Sequence, residues 1–415
     1  MTATRHLATQ VLYQVVIKGQ HLKAAMKSVL PDQLPAQDQA WIQHACYVSL
    51  RHHYSLTARW QKHLKKPLKD LWVGELLTLS LAQKFYMETP DHAIVNEAIK
   101  TVRKNKKNWA SGLVNKVLRL AINDQIYQPE TPVEQFEHPQ WWIDILKKDW
   151  PDDYLQILQA NNQKPPLWVR NKNPAKQLAG QQHPEIPTAW LMSDHKASGD
   201  SALHGGQYSV QDAAAQLSAM ILDPQPGERI LDACAAPGGK SCHLLERQPN
   251  IVLDILEKEP GRLDQVKSNL TRLQLTAHQL ICGDATQPET WYSGEKYDKI
   301  LLDVPCSATG VVRRNPDIKI SRKAEHLKPL TALQQDILQT MSALLKPGGL
   351  LLYATCSVFR SENERQIKKF LSSKPDFSEL PLQLPGARTA LHGQQIITGT
   401  DDMDGFYYCL LSKQS

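Results

Sequence analysis

A chain of 415 residues exceeds the size of one ordinary hydrophobic core and predicts two or three domains. Apolar residues make up 41% and charged residues 22%, proportions that exclude a disordered or fibrous protein. The net charge of +6 is uneven, because residues 1–120 contain 18 Lys and Arg against 7 Asp and Glu. A polyanion such as RNA would be attracted to that region, although a solvated helix surface explains the same charge.

Residues 1–130 show the helical spacing of apolar side chains, as in Leu7, Val11 and Val15. Turns that contain proline divide the stretch into several helices, at Pro31, Pro35, Pro67 and Pro90. We therefore predict an all-α domain. Its basic residues are concentrated in two stretches, Lys62, Lys65, Lys66 and Lys69, then Arg103, Lys104, Lys106 and Lys107.

Neither secretion nor metal binding is indicated. The first 20 residues mix charged and apolar side chains, unlike a signal peptide, and no run of about 20 apolar residues could span a membrane. The seven cysteines are widely spaced and include no C-x-x-C pair, so we expect no disulfide and no metal site. We expect a cytoplasmic monomer with no membrane partner.

Residues 131–200 are rich in proline and aromatic side chains and indicate a domain boundary. Residues 141–158 have the apolar spacing of one helix, and 167–169 form a short strand after Pro165 and Pro166. We predict a linker and small α/β connecting module here.

Residues 201–415 alternate short apolar runs with longer amphipathic stretches, a pattern typical of an α/β domain with a parallel sheet. The predicted strands are 229–232, 252–256, 279–282, 299–302 and 350–354, with an antiparallel edge strand at 406–411. In such sheets ligands bind beyond the carboxyl ends of the strands, so the residues that follow each strand are the candidates for chemistry.

The first predicted strand ends in Asp232-Ala-Cys-Ala-Ala-Pro-Gly-Gly-Lys-Ser241, a turn of small residues that allows a ligand to approach the backbone. A phosphate-binding P-loop would require glycine at Cys234, and the G-x-G-x-x-G pattern of dinucleotide folds is absent. The remaining class is a nucleoside ligand without a pyrophosphate, such as S-adenosylmethionine.

Two carboxylates follow the next strands. Glu257 ends the second strand and could accept the hydroxyls of a ribose, and Asp284 follows the third strand, where an adenine amino group would lie. Each residue alone is equally well explained as the N-cap of a following helix. Together with the glycine turn they predict a nucleoside pocket.

Two thiols follow the last two strands of the parallel series. The fourth strand runs into Asp303-Val-Pro-Cys-Ser-Ala-Thr-Gly310, and the fifth into Tyr353-Ala-Thr-Cys-Ser357. Most cysteines in strands are core residues, but Cys306 and Cys356 lie past the strands, in turns, where packing does not account for a thiol. Their position indicates nucleophilic chemistry beside the nucleoside pocket.

The runs DACAAPGGK, LLDVPCSATGVVRRNPDIK and YATCS, with SVQD at 209–212, resemble the RsmB (Fmu/Sun) family of bacterial 16S rRNA cytosine-C5 methyltransferases. The resemblance covers essentially the whole chain. It implies a Rossmann-like methyltransferase domain at 201–415 with a mostly parallel seven-stranded sheet, and a NusB-like RNA-binding domain at 1–130. It also implies methyl transfer from S-adenosylmethionine to C5 of one cytosine, unpaired or flipped out, with position 967 as the family's target.

By the same resemblance, Cys356 is the nucleophile and Cys306 its helper. The cofactor contacts would be Cys234, Ala235, Ala236, Pro237, Gly238, Gly239, Lys240, Glu257, Asp284 and Asp303, with Glu257 standing where the family more often has aspartate. We further expect Arg313, Arg314 and Lys319 to hold phosphates that flank the target base. Two alternatives stay open, a non-catalytic RNA-binding or antitermination-like factor and a cytosine-C5 methyltransferase that acts on tRNA.

Overall fold

The computed structural model describes residues 2–173, 175–193, 203 and 205–414. Contacts divide the chain into two compact units. The first, here called the helical unit, comprises the chain up to Lys164 together with Val312–Ala324, and the second, the sheet unit, comprises Pro165–Val311 and Glu325–Ser415. These limits differ from the predicted ones, because residues 131–164 join the helices whereas the chain from Pro165 joins the sheets. The expected boundary at residues 200 and 201 lies outside the described residues.

The helical unit confirms the predicted all-α region. Its helices are α1 Thr2–Val16, α2 Leu22–Val29, α3 Ala36–Arg51, α4 His53–Gln61, α5 Leu71–Tyr86, α6 Asp91–Lys104, α7 Ser111–Asn123, α8 Pro132–Phe136, α9 Gln140–Asp149 and α10 Tyr154–Asn161. Helix α5 is buried along most of its length and packs against α1, α3, α4, α6 and α7. It therefore forms the centre of this core, with Val73, Leu76 and Leu77 fully enclosed.

One predicted helix, at 141–158, is two. Helix α9 ends at Asp149 and α10 begins at Tyr154, with Pro151 between them. Proline cannot donate a backbone hydrogen bond and its ring clashes with the preceding turn, so the apolar spacing continues while the helix does not.

A later segment, Val312–Ala324, completes the helical unit and contains the short helix Ile318–Ser321. The Asp317 carboxylate accepts a hydrogen bond from the backbone N–H of Leu22 at 3.2 Å. The Lys319 ammonium donates to the backbone oxygen of Arg51 and to Oδ1 of Asn162, both at 2.7 Å. Thirteen residues that follow the Cys306 motif in sequence are thus part of the helical core.

The sheet unit contains a small antiparallel sheet and a large mixed one. The small sheet has the order β2-β3-β1-β4, with β1 Leu167–Asn171, β2 Gly180–Gln182, β3 Ala189–Met192 and β4 Tyr208–Val210. The predicted strand at 167–169 is the core of β1.

The large sheet has nine strands, where seven were expected. They are β5 Arg229–Ala233, β6 Val252–Glu257, β7 Gln279–Cys282, β8 Tyr297–Asp303, β9 Leu345–Thr355, β10 Phe377–Leu380, β11 Arg388–Thr389, β12 Gln394–Ile396 and β13 Phe406–Lys413. Strands β5 to β9 are parallel in the order β9-β8-β5-β6-β7, and β13 adds to β9 antiparallel, as predicted. The expected edge position is wrong, because β10 and β12 also pair with β13. The extra strands are short antiparallel additions on the side of β13.

The described part of the sheet unit contains five α-helices, namely α11 Ala213–Leu222, α12 Gly239–Arg247, α13 Pro260–Leu273, α14 Leu327–Ser342 and α15 Glu364–Ser373. Two apolar clusters lie against the large sheet, one containing Ile230, Ile255 and Leu301, the other Leu231 and Ile300. Neighbouring residues of one strand alternate between the clusters, as expected for a sheet covered on both faces. The α/β fold class is confirmed. Within the described residues, no helix combines the length and apolar character needed to cross a bilayer.

Candidate active site

The parallel register brings the ends of the predicted strands to one edge of the sheet. Ala233 pairs with Leu256 on β6 and with Leu302 on β8, Glu257 pairs with Cys282, and Asp303 pairs with Ala354. Because parallel strands end on the same side, the turn after β5, the carboxylates after β6 and β7, and both cysteine loops meet there.

The turn after β5 is held by its own backbone. Cys234 has a φ of 62°, and Gly238 has a φ of 92° with an added Cβ only 3.0 Å from Val266, so glycine is required at 238. The N–H of Ala235 donates to the oxygen of Leu256 at 3.1 Å, and the N–H of Ala236 donates to the Glu257 carboxylate at 3.2 Å. The turn is therefore rigid before any ligand arrives.

A cavity of about 190 Å³ opens beside this turn. Its lining includes three of the predicted cofactor residues, Cys234, Glu257 and Asp284. The apolar part of the lining consists of Leu256, Ala285, Pro305, Leu333 and Ile337. Carboxylates beside an apolar wall suit a nucleoside, which offers hydroxyl and amino donors and a flat apolar base.

Glu257 is buried, and each of its oxygens accepts one backbone hydrogen bond, from Ala236 and from Glu259, both at 3.2 Å. The guanidinium of Arg262 lies 3.5 Å from Oε1, and the lone pairs not used by these contacts leave capacity for ribose hydroxyls. Glu257 does not cap a helix, because α13 begins at Pro260 after Glu259. The N-cap alternative is therefore wrong for this residue.

Asp284 has a local role. Its Oδ1 accepts hydrogen bonds from the backbone and hydroxyl of Thr286, at 2.9 and 2.8 Å, which closes a turn. The hydrogen bond from Lys258, 2.9 Å away, lowers the pKa of Asp284 to about 2. Asp284 is thus an ionised acceptor at the cavity wall, and the turn that it closes holds it there.

Lys240 and Asp303 form an ion pair at 2.6 Å. Burial would lower the pKa of Lys240, but the carboxylate of Asp303 outweighs it and raises that pKa above the ordinary lysine value, and Cys356 adds to the rise. Lys240 therefore carries a positive charge beside Asp303 and close enough to Cys356 to interact with it.

The two thiols lie side by side, with Sγ of Cys306 3.4 Å from Sγ of Cys356. The hydrogen bond to Cys356, together with burial, raises the pKa of Cys306 well above that of an ordinary thiol. Cys306 therefore holds its proton more tightly than an ordinary thiol. By contrast, Cys234 is an inert thiol, because burial and the charge of Glu257 raise its pKa.

Asp232, the first residue of the turn motif, is a site residue that the sequence reasoning did not assign. It is completely buried, and burial raises its pKa to about 7 although Ser241 donates to its Oδ2 at 2.5 Å. Its Oδ1 has no hydrogen-bond partner among the described residues. Asp232 does not line the cavity, and it holds the start of α12 through its contact with Ser241.

Comparisons with known proteins identify the family. The family model for 16S rRNA methyltransferase RsmB/F matches residues 219–412, the NusB family model matches 2–123, and a ferredoxin-like domain of RsmF/B-like methyltransferases matches 138–177. The ribosomal RNA small subunit methyltransferase B of Vibrio cholerae is 40% identical over 99% of this chain and 97% of its own. That of Vibrio vulnificus is 41% identical over 99% of both chains.

The chain belongs to the RsmB/F family of 16S rRNA methyltransferases. The predicted family is confirmed, and with it an RNA methyltransferase dependent on S-adenosylmethionine. A crystal structure of PH0851 has the same fold, with a TM-score of 0.81 over 99% of both chains at 21% identity. A methyltransferase homolog from Pyrococcus horikoshii covers 68% of this chain and 97% of its own with a TM-score of 0.59, at 23% identity.

One expectation for this family member is wrong. Arg313 and Lys319, expected to hold RNA phosphates, are each 1% exposed in the helical unit, and Arg314 is half-buried. Lys319 instead donates to Arg51 and Asn162. A run of basic residues beside a catalytic motif suggests a surface, but the apolar residues between them, Val312 and Ile318, anchor the segment in a core.

The sequence reasoning missed several other site residues. Arg262 on α13 donates to the oxygen of Ala236 at 3.0 Å, and Leu333 and Ile337 reach the cavity from α14. Glu362 contacts both cysteine loops from a position beyond β9. Only tertiary folding brings these residues to the sheet edge.

Proposed function

We propose that this enzyme transfers a methyl group from S-adenosylmethionine to C5 of one cytosine in 16S rRNA, position 967 in the family's numbering, and does so in the cytoplasm. The observation that supports it best is the pair of thiols 3.4 Å apart on neighbouring strand ends. A nucleophilic nitrogen or oxygen can be methylated directly, without a protein thiol. A ring carbon of low reactivity such as C5 of cytosine must first be activated by a nucleophile.

The cofactor residues of the proposal are those of the turn from Cys234 to Lys240, with Glu257, Asp284 and Asp303. Glu257 would accept the ribose hydroxyls, Asp284 an adenine amino hydrogen, and Asp303, beside Lys240, the polar groups toward the methionine end or the cytosine edge. S-adenosylmethionine supplies an electrophilic methyl group on its sulfonium.

The reaction begins at Cys356. Its thiolate forms a bond to C6 of the cytosine, which pushes electrons toward C5 and makes that carbon nucleophilic enough to bond to the methyl group. The positive charge of Lys240 lies near Cys356, and the turn from Cys234 to Lys240 fixes the direction of approach. The target base must be unpaired or flipped out, because a stacked base cannot reach a cavity at the sheet edge.

Release requires that the C5 proton leaves and that the C6–S bond breaks, with its electron pair returning to the sulfur of Cys356. We assign the proton to Cys306, which lies beside Cys356. A thiol cannot accept a proton, so Cys306 first loses its own proton to solvent after Cys356 has bonded to C6. Because the pKa of Cys306 is raised, the resulting thiolate is a strong base, and it takes the C5 proton to become a thiol again. Without this residue the chemistry should stop at the covalent protein–RNA adduct.

The test is a pair of cysteine variants. Cys356→Ala should abolish methyl transfer, because no nucleophile remains, and Cys306→Ala should accumulate an adduct that survives denaturing electrophoresis. Cys282→Ala removes an exposed thiol and serves as the control. Normal transfer by Cys356→Ala would overturn the assignment of the nucleophile.

The substrate is tested separately, by mapping 5-methylcytosine in total RNA from cells with and without the protein. Loss of one site in 16S rRNA is the expected result, whereas loss of a tRNA site would support the tRNA alternative. Calorimetry with S-adenosylmethionine addresses the non-catalytic alternative, since an RNA-binding factor alone would bind no cofactor.

The helical unit offers a surface for RNA. Lys65, Lys66, Lys69 and Lys116 line a groove of about 780 Å³ together with Trp109, which is 60% exposed. In the described part of the chain these four lysines have no ion-pair partner, whereas Lys107 is paired with Asp70 and Lys62 with Glu130. Free cations beside an exposed aromatic ring suit phosphates and a stacked base. We propose this basic groove as an RNA contact.

A further inference from the structure

We propose that Glu362 is a positioning residue that holds the two active-site thiols in register by binding the residue that follows each of them. The inference rests on the proposed function, in which both cysteines react with the RNA base. Glu362 is not among the residues that line the cofactor cavity, and it binds Ser307 and Ser357. Its charge also adds to the hydrogen bond with Cys356 and to burial in raising the pKa of Cys306.

Glu362 is completely buried and is surrounded by donors. Its Oε2 accepts from the hydroxyls of Ser307 and Ser357, at 2.5 and 2.6 Å. Its Oε1 accepts from the backbone N–H of Ser307 at 2.8 Å and from the amide of Gln334 at 3.0 Å. Four hydrogen bonds to one carboxylate compensate for its burial and fix its place.

The two serines are the direct neighbours of the reacting residues. Ser307 follows Cys306, and Ser357 follows Cys356, so each cysteine is one peptide unit from a contact with the same carboxylate. A peptide unit is planar and rigid, and holding both serines therefore restricts both cysteine backbones. The separation of 3.4 Å between the sulfur atoms is a consequence of this shared anchor.

Further bonds tie the same loops together around Glu362. The Thr309 hydroxyl lies 3.0 Å from that of Ser357, and the backbone N–H of Gly310 donates to the oxygen of Cys356 at 2.9 Å. Gly310 admits no side chain, because an added Cβ would lie 2.0 Å from the backbone oxygen of Gly405. These bonds define the spacing of the loops, and the carboxylate orients the serines within it.

The chemistry favours a carboxylate over any neutral side chain of equal size. All four partners present hydrogen atoms, and an ionised carboxylate is a pure acceptor with four lone-pair sites. Glutamine would replace one oxygen by an NH₂ group. That group is a donor, and it would face the N–H or O–H groups that now donate to the oxygen. Glu362→Gln thus preserves volume but removes the acceptor pattern.

The experiment measures single-turnover methyl transfer in Glu362→Gln at saturating RNA and cofactor. Displacement of reacting atoms by about 1 Å can cost on the order of 100-fold in rate, and we expect a fall of roughly that size in the rate constant. Affinity for RNA and cofactor should stay unchanged, and covalent adduct should accumulate as release slows. Glu362→Asp, which keeps the acceptors, should recover part of the rate.

Glu364→Gln is the matched control. Glu364 is a buried carboxylate two residues away that accepts from the backbone of Leu391 at 2.7 Å and pairs with Arg360. A role in folding alone would lower the fraction of active enzyme, seen as the burst amplitude, and leave the rate constant untouched. That result, or equal rate constants in both variants, would overturn the proposal for Glu362.

Failure of the proposed function has a different signature. If Cys356→Ala remains active, the nucleophile is wrong whatever Glu362→Gln does. If Cys356→Ala is inactive while Glu362→Gln transfers methyl groups at the normal rate, the function stands and only the positioning role falls.

Discussion

The sheet edge and the basic groove both concentrate reactive or charged side chains, but they do so under opposite conditions. At the edge, Glu257, Asp232 and Glu362 are buried, and Lys240 is paired with Asp303 at 2.6 Å. In the groove, Lys65 and its neighbours are exposed and carry no ion pair within the part of the chain that the structure describes.

The contrast shows two ways of using charge. Covalent chemistry requires atoms held to a fraction of an ångström, and buried hydrogen-bond networks provide that precision. Attraction of RNA requires only positive potential, which acts through solvent and depends on salt. Substitutions at the edge should therefore have large effects on single steps, and substitutions in the groove should have graded, salt-dependent ones.

The largest effect is expected at the cofactor cavity. Glu257→Gln removes charge-assisted acceptors for the ribose, each worth about 1.5–3 kcal/mol, and should weaken S-adenosylmethionine binding by roughly 10- to 100-fold in calorimetry. Glu259→Gln, at an exposed position on the same cavity, is the control. Unchanged affinity in Glu257→Gln would show that the edge does not bind the ribose.

A smaller and additive effect is expected in the groove. Lys65→Gln with Lys66→Gln should weaken RNA binding and lower the slope of log affinity against log salt by about 0.7 for each phosphate that is no longer neutralised. Trp109→Ala should weaken binding by roughly 10-fold with no change in that slope, because stacking is not ionic.

The exposed pair Lys368 and Lys369 on α15, changed in the same way, provides the comparison for the groove. If the Lys65/Lys66 and Lys368/Lys369 double variants lose RNA affinity equally, the basic groove is not a specific RNA contact. The contrast between the groove and the sheet edge would then be wrong.

The smallest effect on catalysis, with a clear effect on stability, is expected at Lys319. Burial is the main cause that lowers the pKa of Lys319 to about 7, from an unfolded value near ~10.4. Between these values the unfolded chain binds the proton and the folded chain does not, so stability rises with pH across that window. Lys319→Met cannot titrate and should lose this rise.

This rise in stability is measured by thermal unfolding between pH 7 and pH 10. Over that range the unfolding temperature of the original chain should rise on the order of 5 °C more than that of Lys319→Met. Lys23→Met, an exposed position on α2, should keep the rise. An equal pH dependence in Lys319→Met would mean that the buried lysine does not exchange its proton in this range.

Much of the site was predictable because it lies in local sequence. Cys306, Cys356, Glu257 and Asp284 all follow strands that apolar runs revealed, and parallel strands necessarily end together. The predicted strand at 279–282 coincides with β7, and the other strand centres are correct within a few residues. The roles of these residues in catalysis and cofactor binding stay predictions.

Less predictable were features that depend on distant packing. Pro151 divides a stretch with continuous helical spacing, and Arg313 and Lys319 are buried although their charge suggested a surface. The charge and spacing of residues indicate whether a side chain prefers solvent or the core. Whether it is actually buried depends on which other element packs over it.

The sequence alone determined the fold class, the family and the sheet edge at which the reactive residues lie. It could do so because motif spacing and apolar periodicity are local properties. Tertiary structure decided the distance between the two sulfur atoms, the convergence of both cysteine loops on Glu362, and the inclusion of Val312–Ala324 in the helical core. The contact between the two thiols and the contact of Leu22 with Asp317 join residues 50 and 295 positions apart, separations that no local pattern specifies.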